Sequence, residues 1–497
     1  RDILARMLHV PASSIHLHPV DVGGGFGVRG EFYPEDYLVP MLARRFRRSV
    51  SWVEDRVENL TALNHSREQL HRIAMAFDDE GGILAVRDEV VHDNGAYLRT
   101  HGIAVPDQTV AMLLGPYRVP VYAGRALVVT TNKTPAGTYR APGRFESNYA
   151  REHLLDLAAD RLGIDRVEMR RRNLLRTDEL PCERPMRHDG DSIRPDEGDY
   201  LGLLDAAQAH WERAGWPDEL AALRAEGRVV GLGVAFFLEH SGSRQFESAD
   251  VEVDATGAVR VITGAAQLGQ GVETAMAQIA AEVLDVGVDR VRVTCGDTEQ
   301  APEGFGSFGS RTTVQAGSAV HGAARAVRDV LVRVAAELLE ADPGDLELDG
   351  GSVRVAGLPD AVRTFAELAI AARTDPRLVR DPTVRLRQRH QFEMTTRTHP
   401  YGVQAALVEL DPATGDVSCL RYLCVVEVGR AVNPLTVEGQ VAGGVAQGLG
   451  GALMEEFRYD ESGQPLSSTF IDYLIPTAHE VPVVETVILE EMPALNN

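Results

Sequence analysis

The segment Gly-Gly-Gly-Phe-Gly at residues 23–27, directly after the strand-like run Ile-His-Leu-His-Pro-Val-Asp-Val at residues 15–22, is the most informative stretch of the sequence for the fold. Glycine has no Cβ atom, so a glycine loop adopts positive φ values and brings backbone N–H groups close to an anionic ligand. Similar loops occur at residues 269–271 (GQG), 306–311 (GSFGSR) and 433–451. One such loop is common, but four together predict an extended cofactor.

Composition narrows the class of protein. The chain has 497 residues, is 44% hydrophobic and carries a formal net charge of −23. This length and apolar content are enough for several buried cores. The acidic surface would repel nucleic acid and anionic lipid, and no apolar run approaches the ~20 residues that span a bilayer. We therefore expect a large globular protein with neither a nucleic-acid partner nor a membrane insertion.

The number and spacing of the cysteines bear on metal clusters and on the cellular compartment. The chain has four cysteines: Cys182, Cys295, Cys419 and Cys424. None forms a C-x-x-C pair, so local spacing supports neither an iron–sulfur cluster nor a zinc ribbon. Sparse, scattered cysteines favour a reducing compartment, here the cytoplasm. Because the chain begins at Arg1 without a methionine and stops at Asn497 in a loop-like sequence, we expect a fragment truncated at both ends.

A repeated pattern of apolar run, acidic turn with glycine, and apolar run predicts β-hairpins. It occurs at residues 73–84, 251–259 and 406–417, where aspartate and glycine supply the turn conformations. Hairpins are common in any protein, but their recurrence favours pseudo-repeated α+β lobes. A polar, proline-containing stretch at residues 176–200 separates two lobes. We place them at residues 1–180 and 181–497, the first truncated at its N-terminus and the second at its C-terminus.

Helical periodicity follows two of the glycine-containing loops. The predicted apolar faces are Met276, Ile279, Ala280 and Val283 after Gly271, and Ala150, Leu154, Leu157 and Ala158 after Arg144. A loop that leads into a helix N-terminus offers free N–H groups and a partial positive charge, which favour a phosphate. In residues 437–453, Gly444 and Gly448 share a face that admits another backbone closely, which predicts a central, buried helix.

These motifs bear on three kinds of site: a nucleotide site, a serine-hydrolase site and a metal site. The spacing of residues 23–27 is not G-x-G-x-x-G, and no regular β-α alternation follows, so a nucleotide fold is disfavoured. Residues 306–310 resemble a serine-hydrolase elbow only superficially, because no buried strand precedes them. His16 and His18 would share one face of a strand, but no Cys/His cluster joins them, so satisfied or exposed histidines are the favoured interpretation.

The combination of motifs is similar to the large subunit of the molybdenum hydroxylases, the family of xanthine dehydrogenase, aldehyde oxidase and aerobic carbon monoxide dehydrogenase. The resemblance covers nearly the whole chain: residues 21–27 (DVGGGFG), 52–56 (WVEDR), 137–144 (GTYRAPGR), 269–271, 306–311 and 429–434 (GRAVNP). It implies an α+β fold of two large lobes that clasp a molybdopterin cofactor, a molybdenum pyranopterin expected as the cytosine dinucleotide. The metal would be held by the pterin, which explains the missing protein ligands.

The resemblance also implies roles for individual residues. The implied cofactor contacts are Gly25, Phe26, Gly27, Arg140, Gln270, Gly271, Gly309, Ser310 and Gln440. Phe26, Arg140 and Gly309 would lie near the molybdenum without ligating it through side chains. Arg144 and Ala141 would face the substrate. Gln447 is a further pterin candidate, and for both glutamines a solvated or intrahelical role is the alternative.

The two arginines have a structural alternative. Arg140 and Arg144 would, in that interpretation, form salt bridges between the lobes. Burying an uncompensated guanidinium is costly. We therefore expect an acidic or a cofactor partner for each of them.

Departures from the family pattern limit the substrate. Carbon monoxide dehydrogenases of this family carry a copper-binding cysteine where this chain has Ala141, so binuclear copper chemistry is not expected. Xanthine-specific members carry an aromatic residue where this chain has Pro142, so purine stacking at that position is not expected. Glu31 lies one position away from a substrate-binding glutamate of the purine hydroxylases, and its role stays open.

The implied activity is that of a molybdenum-dependent oxidoreductase that hydroxylates an aldehyde or an N-heteroaromatic carbon with oxygen from water. The family's base is a glutamate in a glycine-rich motif, which we expect beyond Asn497, so the fragment alone should be inactive. Iron–sulfur and FAD subunits would be partners, in a dimer of heterotrimers. The alternatives are a carbon-monoxide-dehydrogenase-like form without the copper cysteine, and a non-catalytic molybdopterin carrier.

Overall fold

The computed structural model describes residues 1–188, 190–243 and 245–492. Its helices are α1 (Asp2–Leu8), α2 (Pro34–Phe46), α3 (Arg56–Ala62), α4 (Ala104–Met112), α5 (Arg144–Leu162), α6 (Arg166–Asn173), α7 (Tyr200–Arg213), α8 (Trp216–Ala225), α9 (Val272–Leu284), α10 (Ser318–Leu339), α11 (Phe365–Thr374) and α12 (Pro434–Leu453). Its strands are β1 (Gln69–Phe77), β2 (Ile83–Asp93), β3 (Val121–Val129), β4 (Arg187–His188), β5 (Asp191–Ser192), β6 (Val229–Leu238), β7 (Glu247–Val253), β8 (Val259–Thr263), β9 (Val291–Cys295), β10 (Leu346–Leu348), β11 (Ser352–Val355), β12 (Leu358–Thr364), β13 (Arg387–Phe392), β14 (Tyr401–Leu410), β15 (Val417–Glu427) and β16 (Val484–Leu489). This mixture of helices and largely antiparallel sheets confirms the α+β prediction.

Contacts within the chain divide it into two units. Unit 1 contains residues 1–24 and 241–397, and unit 2 contains residues 25–240 and the described residues from 398 onward. The chain therefore passes from one unit to the other inside the glycine run, between Gly24 and Gly25. These units interleave along the sequence, so they do not divide it at a single point, and the lobe boundary between residues 180 and 181 stays a prediction.

Unit 1 is built on a four-stranded sheet in the order β13-β7-β8-β9. Strands β7 and β8 are antiparallel, with Val251 opposite Val261, and β8 and β9 are parallel, with Val261 opposite Val293. Helices α9 and α10 pack on the sheet. Met276 and Ala280 of α9 are fully buried in this core. The sheet and α9 thereby fix the loop at residues 264–271 that connects β8 to α9.

Unit 2 contains a four-stranded sheet in the order β16-β15-β14-β6 and a three-stranded sheet in the order β1-β2-β3. Helix α7 packs on β14 and β15. Tyr200, Phe236, Val403 and Val425 are fully buried in one core cluster of this unit. This core supports α5, whose first residue is Arg144 of the 137–144 motif.

The three predicted hairpins are confirmed. Strand β1 pairs with β2, β7 with β8, and β14 with β15, all antiparallel. In each pair the acidic and glycine residues lie in the connection, as the turn chemistry predicts. The strand expected at residues 15–22 is not formed, because this segment belongs to no sheet.

The predicted helices exist, but their faces differ in part from the prediction. Helix α9 buries Met276 and Ala280 as expected. Helix α5 buries Leu155 completely and leaves Leu157 41% exposed, so its buried face is rotated from the predicted one. The prediction of a central, buried α12 is wrong for this chain, because only Val445 and Gly450 of that helix are buried.

The remaining features of the fold are the state of the cysteines and the apolar character of the helices. All four cysteines are free thiols. Within the described residues, no helix has both the length and the apolar composition needed to cross a bilayer.

Candidate functional site

The Phe26-Gly27 pair lies against residues 138–140 within unit 2. The backbone N–H of Arg140 donates to the Phe26 carbonyl at 2.7 Å, and the Thr138 hydroxyl donates to the Gly27 carbonyl at 3.0 Å. Gly27 has a φ of 106°, and a Cβ there would come within 2.9 Å of the Thr138 carbonyl oxygen. Glycine is therefore required at this position. Gly25 is buried, whereas Phe26 is 51% exposed.

The Arg140 guanidinium lies against one face of α12. It donates to the carbonyl and side-chain oxygens of Gln440 at 2.9 and 3.1 Å, and to the side-chain oxygen of Gln447 at 3.2 Å. The two glutamines are seven residues apart and so share a helix face. Between them, a Cβ on Gly443 or Gly444 would lie 3.7–3.9 Å from guanidinium atoms. Gly443 and Gly444 thus lie beside the Arg140 guanidinium, and a methyl group at either position would make an ordinary contact with it.

Arg140 has amide partners rather than a carboxylate. Among the described residues it makes no salt bridge, and its guanidinium carbon lies 5.6 Å from the Phe26 ring centroid. Burial lowers the pKa of Arg140, and Tyr139 partly offsets this. A half-buried cation held only by neutral groups retains the capacity to bind an anion.

Arg144 lies four residues after Arg140, and its charge is neutralised by a carboxylate within unit 2. Its guanidinium lies 2.7 Å from the Glu239 carboxylate and also contacts Gln108 and His240. Arg144 thus forms a salt bridge within unit 2, whereas Arg140 forms none among the described residues, and the prediction of a salt bridge between the lobes stays untested. Ala141, the other residue expected to face substrate, is half-buried with a positive φ of 55°.

Arg67 supports this segment and was missed by the sequence reasoning. It donates to the Arg140 carbonyl at 2.7 Å, and its guanidinium lies 4.5 and 4.2 Å from the ring centroids of Tyr139 and Phe145. Arg67 also lies 3.7 Å from the buried Glu146 carboxylate. No local motif surrounds Arg67 in the sequence, so only the fold reveals its position.

Glu31 acts within unit 2 as a structural acceptor. Its carboxylate accepts the backbone N–H groups of Thr100 and His101 at 3.2 and 3.1 Å, and it contacts the His101 ring at 3.1 Å. Burial alone would raise the pKa of Glu31, but these hydrogen bonds outweigh it and lower the pKa to about 2. Glu31 is thus fully engaged with its own loop.

In unit 1, the 269–271 loop leads directly into α9. Gly271 is the N-cap residue, with a φ of 80° and no side-chain cap, so the first N–H groups of the helix have no side-chain acceptor from it. The Gln270 side chain bonds within its own loop, accepting from Leu268 N–H at 2.6 Å and donating to the Ala266 carbonyl at 3.3 Å. Gln270 therefore shapes the loop, while Gly271 opens the helix N-terminus.

The 306–311 loop of unit 1 is tied to the preceding one. The Ser307 hydroxyl bonds both the N–H and the carbonyl of Ala266, at 3.0 and 2.7 Å. Gly309 and Ser310 are exposed with φ values of 55° and 54°. A Cβ on Gly309 would meet no atom within 4 Å. The outer side of this loop is therefore open.

A fully buried ion pair holds the base of the same loop. Arg311 and Glu247 are both 0% exposed and are paired with each other. Glu247 also accepts the backbone N–H groups of Phe305 and Gly306 at 2.8 Å, and Arg311 donates to the Gly306 carbonyl at 2.7 Å. The loop conformation is thus set by charge-assisted hydrogen bonds.

Each unit contains residues that fit an anionic group of a cofactor. In unit 1 the fit consists of an uncapped helix N-terminus and open loops with glycines at positive φ. In unit 2 it consists of a half-buried arginine without a carboxylate partner. The prediction of a catalytic glutamate beyond Asn497 concerns residues outside the described ones and stays a prediction.

Several known proteins are similar to this chain in sequence. Two family models described as molybdopterin cofactor-binding domains match residues 1–174 and 206–482. The 6-hydroxypseudooxynicotine dehydrogenase complex subunit gamma of Paenarthrobacter nicotinovorans is 41% identical over 100% of this chain and 62% of its own length. The nicotine 6-hydroxylase large subunit of the same organism is 34% identical over 94% of this chain and 58% of its own.

A solved structure gives the same picture. The crystal structure of quinoline 2-oxidoreductase from Pseudomonas putida 86 superposes with a TM-score of 0.91 and 35% identity, over 98% of this chain and 63% of that one. The chain thus spans somewhat under two thirds of the length of these relatives. The resemblance to molybdenum hydroxylase large subunits is confirmed.

Proposed function

The chain belongs to the molybdopterin cofactor-binding domain family, and we propose that it is the cofactor-binding catalytic part of a molybdenum hydroxylase that oxidises a small organic substrate. The observation that carries this proposal is the environment of Arg140. Its guanidinium is half-buried, fixed by Gln440 and Gln447, and has no carboxylate partner among the described residues. Such a preorganised cation suits an anionic group of a bound cofactor.

We propose cofactor contacts within each unit, taken separately. In unit 2, Gly25, Phe26 and Gly27 would offer their backbone, and Arg140 and Gln440 their side chains. In unit 1, Gly309 and Ser310 would offer exposed backbone groups, and Gly271 would present the N-terminus of α9 to a phosphate. Gln270 would act by keeping the preceding loop in shape.

The bound molybdenum cofactor would supply the two-electron oxidation that introduces an oxygen atom from water into the substrate. The chain's own residues bind and orient. Arg144 is fixed by Glu239, so its guanidinium would present a rigid polar edge beside Ala141. Phe26, Arg140 and Gly309 would lie near the metal without being its ligands. The base would be a glutamate beyond Asn497.

The substrate class is proposed to be an N-heteroaromatic compound, with aldehydes second. Relatives named as a nicotine 6-hydroxylase large subunit and a quinoline 2-oxidoreductase share 34–35% identity with this chain. The residue after Tyr139-Arg140 is Ala141, where a copper-binding cysteine was expected for carbon monoxide oxidation.

Further features of the complete protein are part of the proposal. We infer the cytosine dinucleotide form of the cofactor, and partner subunits with iron–sulfur clusters and FAD in a dimer of heterotrimers. Relatives are named as the gamma subunit of a complex and as large subunits. Free cysteines throughout the chain favour the cytoplasm as the location.

The proposal is tested by turnover of the complete protein with its partner subunits. Quinoline, nicotine, benzaldehyde and carbon monoxide are offered with a dye as electron acceptor in water labelled with ¹⁸O. We expect oxidation of at least one N-heterocycle, with the label in the product. Label-free product would contradict water as the oxygen source, and carbon monoxide oxidation alone would support the alternative form. Bound molybdenum without turnover of any substrate would support a carrier.

A further inference from the structure

We propose that His16, His18 and Asp297 of unit 1 form a binding site for a divalent transition-metal ion, with Zn²⁺ as the first candidate. Each residue offers one ligand atom, and the three atoms lie within 4.8 Å of one another. Two imidazoles and a carboxylate are a ligand set that binds zinc with a water in the fourth position. The site is independent of the proposed molybdenum chemistry.

The backbone holds the two histidines in place. Leu17, which lies between them, donates its N–H to the Thr298 hydroxyl at 2.9 Å. The Leu17 carbonyl accepts the Thr298 N–H at 3.1 Å. In an extended segment, residues two apart point to the same side. Anchoring Leu17 on both sides therefore directs both imidazoles towards residue 297.

Asp297 is the buried member of the set. Its side chain is 5% exposed, whereas those of His16 and His18 are 46% and 65% exposed. One carboxylate oxygen lies 2.7 Å from His16 Nε2, and the other lies 3.3 Å from His18 Nδ1. The backbone N–H of Glu299 donates to the carboxylate at 2.9 Å and the Gln300 side chain at 3.1 Å. The position of Asp297 is thus fixed before any ion binds.

Charge also favours a cation. The Asp297 carboxylate lies beside both imidazoles. Glu299 adds a second carboxylate 3.4 Å from Nδ1 of His16. A carboxylate on the outer nitrogen of a ligating histidine orients the ring and raises its basicity.

Small movements would complete the coordination. Zinc needs ligand atoms at about 2.0–2.2 Å from the ion, so the imidazoles, which are 46% and 65% exposed, would have to rotate away from their present contacts with Asp297. Ligation would replace the contacts of His16 and His18 with Asp297, so the ion competes with these hydrogen bonds.

Metal binding would restrain residues 15–22, which precede the glycine run at residues 23–27. Downstream of His18, a Cβ on Gly296 would lie 3.2 Å from the Pro19 ring, and a Cβ on Gly269 would lie 2.9 Å from the Val22 carbonyl oxygen. The segment 15–22 is thus packed along two loops of unit 1. An ion bound at its start would fasten it to residues 297–300, in addition to the Leu17 hydrogen bonds.

The test is Zn²⁺ titration of the complete protein after removal of loosely bound metal, with a competing chelating dye as reporter at pH 7.5. We expect one saturable site that is at least about tenfold weaker in His16→Asn and in His18→Asn, since even outer partners of metal ligands contribute that much. His479→Asn, at another exposed histidine, is the matched control and should bind as the parent does. Circular dichroism confirms folding of each variant.

Two further readouts identify the geometry. Co²⁺ in place of Zn²⁺ should give visible absorption bands of a four-coordinate ion, which disappear in both histidine variants. Hydrogen exchange in residues 15–22 should slow when Zn²⁺ is added to the parent protein only. Equal Zn²⁺ affinity in the parent and both histidine variants, or the absence of any saturable site, would overturn the proposal and leave a hydrogen-bonded His–Asp contact.

Discussion

Two arginines, Arg311 in unit 1 and Arg140 in unit 2, each lie beside a glycine-containing loop, but their surroundings differ. Arg311 is fully buried and paired with the equally buried Glu247. Arg140 is half-buried and bonded only to amide and carbonyl oxygens of α12. Arg311 has its charge neutralised by the protein itself, whereas Arg140 has not. The difference indicates that Arg311 maintains the fold and that Arg140 is available to bind an anionic ligand.

The same criterion sorts the other charged residues of the candidate site. Arg144 is paired with Glu239 and Glu31 is engaged by the 100–101 backbone. Both resemble Arg311 in having satisfied partners. Their substitution should therefore change stability or orientation, while substitution of Arg140 should change what is bound.

The largest effect is expected from breaking the buried pair. Glu247→Ala leaves Arg311 charged and without its carboxylate, and also removes the acceptor of two loop N–H groups. Removing one partner of a buried pair costs about 3–5 kcal/mol. We expect a loss of that size in the free energy of unfolding, measured by urea denaturation of the complete protein with hydrogen exchange followed in residues 241–397.

The double variant Glu247→Leu with Arg311→Met is the control. Replacing both charges by apolar side chains removes the unpaired cation, so stability should recover in part. A single Glu247→Ala variant as stable as the parent would break the contrast between the two arginines.

A smaller effect is expected at Glu31, and it depends on pH. Its folded-state pKa of about 2 lies below the ordinary value of 4.5, so the ionised carboxylate stabilises the fold above pH 4.5 and this stabilisation is lost as the pH falls towards 2. Glu31→Gln should cost about 1–3 kcal/mol. The difference in unfolding midpoint from the parent should be larger at pH 5 than at pH 3. A difference that grows on acidification would assign Glu31 another role.

The smallest effect is expected on the face of α12 that receives Arg140. Gly444→Ala places a methyl 3.7 Å from the guanidinium, an ordinary contact, and should stabilise the helix by about 0.5–1 kcal/mol. Gly444→Leu should displace the guanidinium and lower the molybdenum content of the purified protein. Thermal unfolding and elemental analysis of the two variants check both outcomes. Equal molybdenum content in both would show that this face does not position Arg140 for the cofactor.

Local sequence predicted the parts of the fold that depend on neighbouring residues. The Asp/Gly turns predicted three hairpins, and the apolar period after Gly271 predicted α9. The errors arose where tertiary partners decide, as in the burial of Leu155 instead of Leu157. Helix α12 looked buried because its glycines suggest a packed backbone, but its glycine face lies beside the guanidinium of Arg140, which bonds to Gln440 across 300 residues of sequence.

The candidate site shows the same limit. Phe26, Gly27 and Arg140 were identified by resemblance, and the structure places these three together. The supporting role of Arg67 and the Arg311–Glu247 pair depend on contacts across 64 or more residues. No local pattern encodes such contacts, so only folded coordinates reveal which arginine is neutralised.

The most direct test of the central claim is the molybdenum and pterin content of the complete protein carrying Arg140→Ala, beside Arg125→Ala, an exposed arginine of β3. A charge-assisted hydrogen bond contributes about 1.5–3 kcal/mol. We therefore predict a roughly 10- to 100-fold weaker hold on the cofactor in Arg140→Ala, with the variant still folded by circular dichroism and Arg125→Ala fully loaded. Full cofactor loading in Arg140→Ala would contradict the account.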